Sequence, residues 1–122
     1  MGSRGELMGK FNSSLVGVTF NNRQNNIPLV NTGQKLFWSN ESTNPFDSNA
    51  ILVYADEDKK IELGHLRADL AVKLMDRFKN KKCDYELFVE RVTGGGDNMN
   101  LGLNIVIYTR WIKDGSVKNK DQ

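Results

Sequence analysis

The sequence holds one cysteine, Cys83, and one histidine, His65. A lone cysteine excludes an internal disulfide framework and a cysteine-rich zinc site, and it fits a reducing compartment, so a cytoplasmic protein is expected. Cys83 itself reads as a small apolar side chain packed inside. With a single histidine, and no H-E-x-x-H, C-x-x-C or G-x-S-x-G arrangement, neither a His-dependent nucleophile triad nor a zinc site finds support. Charge of one sign is also scarce. Seventeen Lys and Arg against fifteen Asp and Glu leave a net charge of +2, too little for the broad basic face of a general polyanion binder. Any contact with nucleic acid must therefore be local. Apolar runs such as 50–55 fall far short of the roughly twenty residues a membrane span needs, and no membrane partner is expected. The opening residues lack the apolar stretch of a secretory signal, and Glu6 stands where a myristoylation motif requires Ser or Thr.

What is present suits one small globular unit. The 122 residues are 39% hydrophobic and 26% charged, enough apolar material for one core and too little chain for two. The expected organisation is a flexible leader over 1–12, one domain over 13–112, and a disordered tail over 113–122, where Lys and Asp recur without periodicity. Leu15-Val16-Gly17-Val18-Thr19-Phe20 is β-branched and aromatic and runs into an Asn-rich loop, which predicts a first strand. Residues 34–39 predict a second, followed by a long polar loop. Residues 51–54 and 60–64 flank the charged turn Asp56-Glu57-Asp58-Lys59 and suggest a hairpin. From Arg67 the period changes: Leu70, Ala71, Leu74, Met75 and Phe78 recur at helical steps, which predicts an amphipathic helix ending near Asn80. Alternation over 85–89 and 101–108 then predicts two more strands around a glycine-rich loop. This order fits a mainly β fold, a small OB-like or SH3-like antiparallel barrel of about six strands with one covering helix.

Chemistry-bearing groups are few. Asp47, Asp56, Glu57 and Asp58 sit on loops, where acidic residues serve mainly as solvated turn formers. Gly94-Gly95-Gly96 lacks the Lys-Ser or Lys-Thr pair of a phosphate cradle and reads as a connection that needs positive φ. His65 follows Gly64 at a strand end and precedes the helix; it is either structural or turned toward a groove. The segment Asn44-Pro45-Phe46-Asp47-Ser48-Asn49-Ala50-Ile51 stands out. Pro45 fixes a torsion and Asp47 and Asn49 can bond nearby backbone, so it builds a rigid loop before a buried strand. Rigidity does not explain an aromatic ring, Phe46, at the tip of a polar loop beside a carboxylate.

This Asn-Pro-aromatic-Asp-x-Asn-Ala-Ile segment resembles one carried by the HIRAN family. The resemblance extends to residues 15–20, to Gly64-His65-Leu66 followed by Asp69-Leu70-Ala71, and more weakly to the final strand, covering roughly residues 13–110. It implies an OB-like barrel that holds the last nucleotides of a single DNA strand and recognises the free 3′-hydroxyl, with no catalytic residue, cofactor or metal. In the family the module often fronts Snf-type translocases that remodel stalled replication forks. No ATPase motif occurs here, so a helicase or translocase would act in trans, in DNA repair or fork processing. Phe20 and Phe46 match the family's pocket aromatics, and such faces stack bases for about 1–3 kcal/mol each. Asp47 matches the acidic residue beside the terminal sugar, where a carboxylate accepts from a 3′-OH and repels a further phosphate. Asn44 and His65 match polar groove positions, and Arg67 supplies a nearby cation.

The sequence departs from the eukaryotic pattern of the family at Thr19 and Ala68, where basic residues are usual, and at Phe20 and Phe46, where tyrosines are. Arg23, Arg67, Lys73 or the tail would have to replace the lost cations, and Met99 could replace an apolar base contact. Two rivals come from other classes. One is a peptide-binding module using the same aromatic groove. The other is a nuclease in which Asp47 holds Mg²⁺ with Asp56 or Asp58.

Overall fold

A computed structural model describes residues 4–80, 82–97 and 99–112. Six strands form a single antiparallel sheet in the order β1-β6-β5-β2-β3-β4. They are β1 (Arg4–Ser14), β2 (Lys35–Asn40), β3 (Ile51–Tyr54), β4 (Glu62–His65), β5 (Cys83–Gly94) and β6 (Leu101–Ile112). The sheet curls until its outer strands approach each other. Just past β1, Val16 pairs with His65 of β4, and the two exchange both backbone hydrogen bonds, at 2.8 and 2.9 Å. That one pair joins the edges and leaves a nearly closed, OB-like barrel, the class the sequence predicts.

The seam depends on a glycine. A Cβ on Gly64 would lie 2.9 Å from the Val16 carbonyl oxygen and 3.2 Å from side-chain carbons of Leu15 and Val18, so only a residue without a side chain lets the edges approach this closely. The glycine run between β5 and β6 behaves as its composition requires, with Gly94 and Gly95 at φ of 73° and 82°.

Alternation explains the core. Along β5 and β6, Cys83, Tyr85, Leu87 and Val89 and Leu103, Ile105 and Ile107 point inward and are buried, while Glu86, Phe88, Val106 and Tyr108 face out. The helix expected after Arg67 is α2 (Ala68–Lys79), since α1 is a single turn at Arg23–Asn26. It buries Ala71, Leu74 and Met75 in the same core, and Phe78 meets Trp38 of β2 edge-on at 5.1 Å between ring centres. Asp69 in its first turn and Arg77 and Lys79 in its last complement the helix dipole.

Two expectations are corrected. The flexible leader proposed for 1–12 is a strand from Arg4 on, paired with β6 from Arg4↔Ile112 to Ser14↔Asn104. This is an edge strand with a polar outer face, Lys10, Asn12 and Ser14 being exposed, and it is rich in Gly, Ser and Asn, so its propensity is weak. The long ladder to β6 orders it instead. Conversely, the first strand predicted at 15–20 continues only through Leu15 and Val16 before the chain turns away. The polar segment that follows is not plain loop. It forms α1 and a 3₁₀ turn at Ile27–Leu29, because Ile27 and Val30 anchor in the core. Residues 1–3 of the expected leader and the expected tail from Lys113 lie outside the described residues.

Candidate nucleic-acid interface

The loop joining β2 to β3 is rigid because its polar side chains serve its own backbone. Glu41 and Ala50 close its base, with a 2.8 Å bond from the Glu41 N–H to the Ala50 carbonyl. The Asn44 side-chain oxygen accepts the N–H groups of Phe46 and Asp47 at 2.8 and 3.1 Å. Asp47 Oδ1 accepts the Asn49 N–H at 2.9 Å, and Asn40 Nδ2 donates to the carbonyls of Ser48 and Ala50 at 3.0 and 3.1 Å. These are the side-chain-to-backbone bonds that Asn and Asp favour in turns. At the tip of this braced loop, Phe46 is 96% exposed. Folding gains almost nothing from the ring.

A second cluster lies on the other side of the seam. A Cβ built on Gly17 would lie 3.3 Å from Arg23 Nη1, 3.7 Å from the Phe20 ring and 3.8 Å from His65 Nδ1, so the three side chains converge there. Phe20 remains 63% exposed. Arg23 is buried, and its guanidinium is fully committed: Nε and Nη2 donate to Glu62 Oε1 at 3.2 and 2.9 Å. Nη1 donates to the Gly17 carbonyl at 2.7 Å and reaches His65 Nδ1 at 3.3 Å. The other ring nitrogen, Nε2, lies 2.8 Å from Glu41 Oε1, and Asn44 Nδ2 donates to the same oxygen at 3.3 Å. One hydrogen-bonded path therefore runs Glu62, Arg23, His65, Glu41, Asn44 and connects the loop of Phe20 to the loop of Phe46. Burial disfavours the charged form of Glu41, but the hydrogen bonds it accepts from His65 and Asn44, with the nearby charge of Arg23, outweigh it and hold the carboxyl below its ordinary range.

The remaining candidates lie farther from this path. Arg67 precedes the first turn of α2, exposed and paired with Asp69 at 3.0 Å, and Thr19 is exposed beside Phe20. Met99, 64% exposed, rides on the loop between β5 and β6. Gln24 ties that loop to the Phe20 segment, donating from Nε2 to the carbonyls of Leu101 and Val18 at 2.8 and 3.0 Å and accepting the Leu101 N–H at 2.8 Å. Sequence reasoning missed Glu41, Glu62 and Gln24, since their partners are distant in the chain. It expected Arg23 to be a free cation; instead the side chain is an internal brace, and Arg67 is the exposed arginine next to the site.

The nuclease rival fares poorly on geometry. Asp47 and Asp56 belong to different turns, and Asp56 is occupied by the backbone N–H groups of Ile61 and Lys60. The bond from Ile61, followed by that from Lys60, outweighs desolvation and lowers its pKa. Among the described residues no three His, Cys, Asp or Glu side chains are grouped to hold a cation, and no helix is long and apolar enough to cross a membrane.

Comparison with known proteins agrees with the fold. The crystal structure of the HIRAN domain of human HLTF superposes with a TM-score of 0.63 at 25% identity, covering 93% of this chain and 84% of that one. The NMR structure of the HLTF HIRAN domain gives 0.55 at 22% identity, with coverages of 88% and 80%. A structural genomics target from Lactobacillus plantarum shares the fold at 0.58 and 17% identity, over 84% of this chain and 99% of that one. No curated protein matches the sequence. The HIRAN domain family model matches residues 8–110, which takes in the barrel from the latter part of β1 through most of β6, both aromatic loops and the path between them; the chain belongs to the HIRAN domain family.

Proposed function

We propose that this chain is a non-catalytic module that binds single-stranded DNA at its 3′ end, using the groove between the Phe20 and Phe46 loops. The carrying observation is the Phe46 ring, 96% exposed on a loop whose backbone is fixed by Asn44 and Asp47. A rigid loop that holds a large apolar ring in water leaves a face prepared for a flat, apolar partner, and a nucleobase is such a partner. Phe20 offers a second face across the seam.

Charge argues for an end over an internal stretch. Glu41 and Asp47 place two carboxylates on this one loop, and a phosphodiester running beside them would be repelled. Only Oδ1 of Asp47 is used by the Asn49 N–H, so the carboxylate retains acceptor capacity for a terminal hydroxyl. Arg67 would meet the backbone by releasing Asp69, an exposed pair of little energetic weight. Membership of the HIRAN family supports the same reading, with a helicase or translocase as the partner that would act on the bound DNA.

The test is a fluorescence-anisotropy titration of matched short strands ending in a 3′-OH or a 3′-phosphate, alongside a circular strand with no end. Binding is expected to favour the 3′-OH strand by about tenfold, the worth of roughly one charge-assisted hydrogen bond. The dependence of log K on log salt should be no steeper than about −4, because few cations face the groove. Equal binding to all three DNAs overturns end recognition; no DNA binding at all would leave the groove to a peptide.

A further inference from the structure

We propose that Arg23 and Glu41 are positioning residues that hold His65 as its neutral Nε2–H tautomer between the two aromatic loops, and that neither contacts the phosphate backbone. The affinity part of this inference rests on the proposed single-strand binding; the tautomer part does not. The geometry is directional. A guanidinium only donates, so the 3.3 Å approach of Arg23 Nη1 requires an acceptor lone pair on His65 Nδ1. The ring proton then resides on Nε2, which faces the Glu41 carboxylate at 2.8 Å, a group that only accepts when ionised. The two contacts specify the same tautomer from opposite sides.

Each partner is itself fixed. Arg23 is 3% exposed and is held by Glu62 and the Gly17 carbonyl, and Asn26 Nδ2 ties α1 to β4 through the Glu62 carbonyl at 2.9 Å. Glu41 is held by Asn44, which also fixes the N–H groups of Phe46 and Asp47. Among the described residues the Val16–His65 pair is the backbone link across the seam, and this side-chain path adds directional bonds between the segments that carry the two rings. A buried cation with its donors occupied releases no counterions from DNA. A carboxylate in the groove would, as a bare charge, only repel the strand.

Because His65 is the sole histidine, long-range ¹H–¹⁵N spectra of the free, uniformly labelled protein at neutral pH read its tautomer without ambiguity. Protonated Nε2 with unprotonated Nδ1 is expected; an Nδ1–H ring, or a fast-exchanging mixture, overturns the proposal. In DNA titrations, Arg23→Met should weaken binding about tenfold with an unchanged salt slope. If Arg23 met a phosphate, the slope would instead become shallower by about 0.7. Glu41→Ala should also weaken binding, about fivefold, whereas a gain in affinity would mean that Glu41 acts only as a repelling charge and would overturn its positioning role. Should Arg23→Met fail to fold, the wild-type spectrum and Glu41→Ala still decide. If the wild type binds no DNA, the functional reading fails while the spectrum still judges the tautomer.

Discussion

Phe46→Ala separates recognition from folding more cleanly than any other substitution, because the structure sets its two costs far apart. The ring is 96% exposed, so truncation removes almost no surface that folding buried. Backbone bonds around it come from Asn44 and Asp47 and survive the change. Folding stability should therefore move by no more than about 0.5 kcal/mol, the ordinary range for a surface substitution. Binding is another matter. If a base stacks on the ring, its loss costs about 1–3 kcal/mol, or roughly 5- to 150-fold in Kd. Phe46→Tyr keeps the π-face and is expected to stay within about threefold of wild type. Thermal melts and anisotropy titrations of the three proteins with a short 3′-OH strand suffice. Unchanged DNA affinity in Phe46→Ala would refute the stacking role, and a lowered melting temperature would show that the ring supports the fold.

The other expectations concern the carboxylates and the seam. Asp47→Asn retains an acceptor for the Asn49 N–H, so melting should change little, while the preference for 3′-OH over 3′-phosphate ends should collapse toward one; a preference that survives the substitution removes Asp47 from end recognition. Gly64→Ala places a Cβ 2.9 Å from the Val16 carbonyl oxygen, and denaturant unfolding should show a loss of about 1–3 kcal/mol, as overpacking does elsewhere. A wild-type-like midpoint would mean that the seam opens at little cost. Glu41 has a folded-state pKa below its ordinary 4.5, so its contribution to stability is present above that value and is lost as the pH falls through the depressed one. The melting difference between wild type and Glu41→Gln should accordingly narrow on acidification, from a gap kept small by the partial exposure of the carboxylate; a gap that widens would reverse the sign.

The sequence revealed those parts of the fold that depend on local pattern. Period-two alternation at Tyr85, Leu87 and Val89 and at Leu103, Ile105 and Ile107 marked the two long inner strands, and the helical spacing of Ala71, Leu74 and Met75 marked α2. It misread most of β1 as a flexible leader, since a strand containing Gly9, Asn12, Ser13 and Ser14 has little propensity of its own and is ordered by pairing with residues about a hundred positions away. The aromatic candidates were legible for a related reason. An apolar ring in a polar, self-bonded loop is a local anomaly, and Phe46 is as exposed as that anomaly suggested. Arg23 was misjudged because burial of an arginine is decided by its partners, and those partners, Glu62 and His65, arrive only when the sheet curls.

That curling also explains why the candidate site lies where it does. An antiparallel sheet of this size gains by joining its edges, since an unpaired edge invites pairing with other chains. Here the β-ladder completes the junction with a single pair, Val16 with His65, and polar side chains supply the rest. A seam built this way adds, to what strand pairing and the core already hold, directional bonds that fix side chains as well as backbone. Arg23 gives up its charge to Glu62 and its reach to Gly17, which leaves Arg67 as the exposed arginine beside the groove. The consequence is a candidate site of two exposed aromatic rings and two loop carboxylates, beside an arginine that is itself paired with Asp69. On the proposed single-strand reading, such a surface would discriminate poorly by Coulomb attraction along a strand and better by what the strand presents at its terminus, where one phosphate fewer and one hydroxyl more change the local balance. Adding cations should therefore erode selectivity before it improves recognition. Ala68→Lys, at an exposed position on the first turn of α2 next to Arg67, is expected to raise affinity for 3′-OH and 3′-phosphate strands alike and to compress their ratio. A ratio that widens in Ala68→Lys would mean that the balance of charge beside the two loops does not set end selectivity and that the carboxylates are not its source.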